Sequence, residues 1–104
     1  MTEWRDVDID AIPAEQWNWL QTNLPPAATL NLRRLVWWAM WRQHWVLSLA
    51  NKWSIELARW DEAEQARVVI RIGIDSMGRP KGAQRFVERP THDASAMDEI
   101  AGLL

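Results

Sequence analysis

The side chains best suited to chemistry in these 104 residues are two histidines, fourteen carboxylates and twelve cations; cysteine is absent. Without a thiol there is no disulfide framework, no thiolate metal site and no cysteine nucleophile. His44 and His92 lie far apart, and neither has a sequence neighbour that makes a recognisable dyad. Two distant histidines and scattered carboxylates also lack the ligand spacing of a zinc site. Asp6, Asp8 and Asp10 are spaced like half of a calcium loop, but the glycine and the distal glutamate are missing. Residues 1–12 therefore read as an acidic extended arm. No catalytic residue, metal or cofactor is expected from this inventory.

The segment Gly78-Arg79-Pro80-Lys81-Gly82 has the residues of an anion-binding loop, glycines for close backbone approach and cations for charge. It lacks the spacing of a phosphate-binding loop and no helix follows it, so a hairpin turn accounts for it as well. Arginine is the more promising cation, outnumbering lysine ten to two. If residues 67–74 and 83–89 pair as strands, Arg67, Arg71, Arg85 and Arg89 share the face opposite the Val/Ile side. With Arg79 and Lys81 at the loop they would form a basic patch for phosphates. The alternative is a solvated face paired with Glu56, Glu64 and Glu88.

Tryptophan supplies the other unusual grouping: nine Trp against one Phe and no Tyr. The codon usage of a GC-rich bacterial or phage genome would favour Trp and Arg over Phe, Tyr and Lys. The same two residues are enriched at protein-binding hot spots. On a helix, Trp37, Trp38, Trp41 and Trp45 fall on one face, flanked by Arg34 and Lys52. That ridge is either core, between two layers, or a partner surface built on Arg34, Trp41, Trp45 and Lys52.

These groupings depend on the elements that carry them. Pro13 suits the first position of a helix that Asn23-Leu24-Pro25-Pro26 ends. Thr29 or Asn31 can cap a second, longer helix running to about Asn51, with Leu32, Leu35, Val36, Ala39, Val46 and Leu47 on its aliphatic side. Residues 53–60 alternate as a strand, although Trp53, Leu57 and Trp60 also have helical spacing. Residues 67–74 are the clearest strand, 75–82 are loop, and 83–89 return as a strand to Pro90. Met97, Ile100, Leu103 and Leu104 suit a tail helix within 91–104. The order α-α-β-β-β-α predicts a single α+β domain, a three-stranded antiparallel meander with helices on one face.

Composition agrees with one folded domain: 48% of residues are apolar, 25% are charged, and the net charge is −2. The stretch 30–49 holds Arg33, Arg34, Arg42 and His44, too much charge for a bilayer span, and the first residues show no secretory signal. A cytoplasmic location without membrane contact is the expectation. The function expected is a non-enzymatic protein-binding domain of inhibitor, adaptor or assembly-factor type, whose partner is another protein or a second copy in a homodimer. The alternative is a nucleic-acid-binding accessory protein using the basic sheet face.

Overall fold

Pro13 does open the first helix. In the computed structural model, which describes residues 3–89, α1 spans Ala14–Asn23, and Leu24 turns to extended backbone before the two prolines. Thr29 caps α2, Leu30–Trp37, its hydroxyl accepting from the Leu32 N–H at 3.3 Å. The expected run of helix to Asn51 does not occur. After Trp37 the winding widens into a π-helical turn, Trp38–Arg42. His44 then takes left-handed backbone at φ +62°, and the Trp45 N–H closes the segment onto the Ala39 carbonyl at 3.0 Å.

The chain emerges as strand β1, Val46–Ala50. A left-handed residue ends a helix as glycine usually does, and histidine is among the few other types that tolerate that region. Three further strands follow: β2 Ser54–Asp61, β3 Ala66–Ile74 and β4 Pro80–Glu88. The class is α+β, and the meander has four strands instead of three. The sheet is antiparallel throughout in the order β1-β2-β3-β4.

Period-two alternation gives each strand two faces. On the inner face Leu47, Leu57 and Ile70 align across three strands, with Ala50, Ile55 and Ile72 in the next row. These residues pack with Leu20, Leu24, Leu32, Val36 and Trp37 from the helical layer to form the core. Leu20, Leu32, Val36 and Ile55 are wholly buried.

The N-terminal residues are not the extended arm expected of an acidic segment. They form 3-10 turns at Trp4–Asp6 and Ile9–Ala11, which place Ile12 in the core and Val7 against it. Apolar residues among the aspartates (Val7 and Ile12) supply the anchoring that the acidic count hides. The C-terminal tail read as a helix over 91–104 lies outside the described residues.

Gly78 joins the layers. Its backbone lies at φ +78°, and a β-carbon there would stand 1.8 Å from the Ala27 carbonyl oxygen. Its own carbonyl accepts the Thr29 N–H at 3.0 Å. The loop that resembled an anion cradle is thus a hairpin turn seated on the α1–α2 connection. Asp75 holds it, with Oδ1 accepting the Met77 and Arg79 N–H groups, each at 2.9 Å.

Candidate functional site

The four residues expected to form the aromatic partner surface occupy different elements. Arg34, on α2, donates to the Arg5 carbonyl and to Asn31 Oδ1, each at 3.5 Å. Trp41, in the π-helical turn, meets Trp19 edge to face, with ring centroids 5.7 Å apart. Trp45 lies beyond the reversal at His44, and the Arg59 guanidinium stacks 4.5 Å from its ring. Lys52 sits in the β1–β2 hairpin over Trp53, 4.7 Å from the ring centroid.

The ridge existed only on the assumption that the helix continued. Of its other members, Trp37 is buried and donates to Gln16 Oε1 at 2.7 Å, while Trp38, Trp41 and Trp45 are partly buried against the core. The aromatic cluster belongs mainly to the packing between layers.

The basic patch is also divided. Arg67 and Arg71 are exposed on the outer face, away from the helices. Arg85, however, stands opposite Ile70, and Val87 opposite Val68, on the inner side. The cause is a register shift between Gly73 and Ile74, where Gly73 faces Gly82 but Ile74 faces Pro80. One extra residue on β4 changes which side chains share a face.

Each of these arginines also has a carboxylate. Arg67 meets Glu88 at 2.6 Å and Arg71 meets Glu56 at 2.6 Å. Arg85 and Arg89 share Glu64, at 3.2 and 3.3 Å. Arg79 closes onto Asp75 at 3.0 Å within the turn. Lys81 lays its stem along Gly73, with Cγ and Cε 3.3 Å from where a β-carbon would stand.

The outer face contains a different arrangement, which no residue pattern in the sequence marked. Val46 pairs with Ala58, Ala58 with Val69, and Val69 with Phe86, an apolar row crossing all four strands. The row Trp60–Arg67–Glu88 runs along one side and Leu49–Glu56–Arg71–Gln84 along the other. Ala58 and Val69 at the centre are buried, whereas Val46 is 63% exposed, Trp60 48%, Leu49 42% and Phe86 41%. The Arg71 guanidinium stacks 5.2 Å from the Phe86 ring, tying the apolar row to its charged border. The outer face thus groups four exposed apolar side chains, Val46, Leu49, Trp60 and Phe86, around a buried centre and beside two ion pairs.

A concavity of about 450 Å³ opens between the N-terminal turns and the π-helical turn. Trp37 and Trp38 form its apolar wall, with Asp6, Asp8 and Arg42 among its polar lining. Much of that polar capacity is used locally. Asp8 accepts the Asp10 N–H at 3.0 Å, and Arg42 lies 5.3 Å from the Trp37 ring. Among the described residues no group of three or more His, Asp or Glu is placed to hold a metal ion, and no helix is long and apolar enough to cross a membrane. Compared with family models, with curated proteins and with solved structures, the chain has no match.

Proposed function

We propose that this protein is a non-enzymatic protein-binding module, of inhibitor, adaptor or assembly-factor type, whose contact surface is the outer face of its sheet. The observation carrying the reading is the unbroken row Val46–Ala58–Val69–Phe86 on the face opposite the one that packs against the described helices. Exposed Trp60 and Leu49 widen that row. A monomer rarely keeps large apolar side chains grouped on one surface without a use for them. The charges bordering the row are already paired on the surface, so covering them strands no lone ion. The sheet also makes a rigid support, since the central strands β2 and β3 pair along their full lengths.

Photo-crosslinking in cells tests the assignment. A benzophenone side chain at position 86, in place of Phe86, should yield discrete protein adducts that survive nuclease treatment. The same group in place of Gln21, on the exposed side of α1, should yield none. Equal labelling from both positions, or none from position 86, would remove the outer face as the contact surface. The nucleic-acid alternative gains no observation of its own, because register separates its arginines and carboxylates occupy them.

A further inference from the structure

We infer that the cavity between the N-terminal turns and the π-helical turn binds a small zwitterion with an apolar body, of the free α-amino-acid type. The site shares no lining residue with the outer sheet face and stands independently of the interaction reading above. Its wall is built by the widened winding. In an α-helix side chains three or four apart are neighbours, whereas a π-turn bonds residue i to i+5. Trp37 and Arg42 stand in that relation, and the guanidinium lies 5.3 Å from the Trp37 ring centroid. Trp38, which opens the turn, lines the cavity beside them. The Trp37 ring is locked in place, because its indole N–H donates to Gln16 Oε1 at 2.7 Å. Single π-turns of this kind recur at functional sites.

The charges around that wall suit a ligand that carries both signs. Asp6 and Asp8 reach the cavity from the N-terminal turns, and Arg42 reaches it from the π-helical turn. Among the described residues no ion pair joins Arg42 to either carboxylate or to any other. An indole offers no conventional acceptor, so the N–H donors of Arg42 remain for an anion. Nothing among the described residues donates to the Asp6 carboxylate. Asp8 gives one oxygen to the Asp10 N–H, a fraction of what a carboxylate accepts.

Opposite charges held apart beside an apolar wall match an ammonium and a carboxylate on one molecule, with its side chain against the indoles. A simple organic cation fits less well because Arg42 would repel it, and a simple anion would meet Asp6 and Asp8. The cavity volume of about 450 Å³ is ordinary for a small-molecule site.

NMR titration of the isotope-labelled full chain with L-phenylalanine provides the test. Binding should saturate with a Kd between about 0.1 and 1 mM, the scale for about a dozen non-hydrogen atoms in an open site. Shifts should centre on the Val7, Asp8 and Gln43 amides and on the Trp37 and Trp38 indole N–H signals, leaving Val69 and Phe86 unmoved. L-phenylalanine amide, which lacks the carboxylate, and N-acetyl-L-phenylalanine, which lacks the ammonium, should each bind about tenfold more weakly. Asp6→Asn should weaken the amino acid and its amide but leave the N-acetyl compound unchanged. Arg42→Gln should weaken the amino acid and the N-acetyl compound but leave the amide unchanged. A variant that merely disturbed the turns would weaken all three alike.

Equal affinity for the three compounds would reduce the site to an apolar cleft and overturn the proposal. So would shifts centred elsewhere on the molecule, a uniform loss in both variants, or no saturation up to about 10 mM.

Discussion

His44 bears a backbone conformation that suits glycine better, φ +62°, at the point where the helical segment turns into β1. Left-handed backbone costs an L-residue about 1–2 kcal/mol, while glycine returns about 0.4–1 kcal/mol of that through the greater freedom of its unfolded chain. His44→Gly should therefore raise stability by up to about 1 kcal/mol. His44→Val should lower it by about 1–2 kcal/mol, since a β-branched side chain fits that region worst. Urea midpoints at unchanged slope would check both, and a destabilised glycine variant would mean that the imidazole makes a contribution beyond the turn. Asp75 is the other residue that sets local geometry. The Arg79 backbone N–H, foremost among several donors, holds its carboxyl below the usual aspartate value. A depressed folded-state value means the unfolded state takes up protons first as pH falls. The contribution of Asp75 is thus complete above the ordinary aspartate range and is lost on acidification through the lower folded value. The Met77 and Arg79 amide resonances should follow that transition, with a midpoint below pH 3.8. A midpoint at or above it would contradict the turn geometry.

At the scale of elements, the β3–β4 hairpin was legible because Val68, Ile70, Ile72 and Ile74 alternate without interruption, and because Gly78, Pro80 and Gly82 leave few other uses for the connection. The first helix was legible for similar reasons, being framed by Pro13 and by Pro25-Pro26. β1 was not. Nothing between Thr29 and Asn51 is glycine or proline, and Val46, Leu47 and Ala50 continue a helical aliphatic face as well as they begin a strand. The decisive event, one histidine entering left-handed backbone, leaves almost no trace in residue type. The missing strand costs more than its five residues, because grouping Trp45 with the ridge, and Lys52 at its flank, needs a helix that in the structure ends before them. Gly78 shows the opposite case, a residue read correctly as a turn whose docking was out of reach. Gly78→Ala would need the Ala27 carbonyl to move, since the β-carbon would stand 1.8 Å from that oxygen. It also needs an L-residue at φ +78°. A loss of about 3 kcal/mol or more is expected, combining backbone strain with disruption of the interlayer contact. Thermal melting should show it as a downward shift of about 10 °C or more for a domain this size. A variant melting within about 2 °C of wild type would show that the loop lifts freely from the α1–α2 connection.

The molecule as a whole has one face of its sheet committed to the core and the other carrying exposed Val46, Leu49, Trp60 and Phe86. That outer row could not be read from the chain, because it is a property of register across four strands, one of them hidden and another shifted by a bulge. The arginines, in contrast, were conspicuous in the sequence, and the structure spreads them over two faces. That distribution carries a prediction about nucleic acid. A protein that neutralises phosphates gains affinity by releasing counterions, and with 6–10 contacts it loses roughly a thousandfold or more between about 50 and 200 mM salt. Here Arg67, Arg71, Arg79, Arg85 and Arg89 each lie within 3.3 Å of a carboxylate oxygen. Each would have to exchange that partner for a phosphate, so little net charge is free to release ions, and the chain carries a net charge of −2. Fluorescence anisotropy with labelled single- and double-stranded DNA and RNA should therefore show no binding at about 50 mM salt with protein up to about 50 µM. The double variant Glu56→Gln, Glu88→Gln releases Arg71 and Arg67 on the outer face. It should gain weak binding with a log–log salt slope of about −2, one unit for each freed arginine. Wild-type binding with a slope of −4 or steeper would mean that the carboxylates yield their arginines readily, and would move the nucleic-acid reading ahead of the protein one.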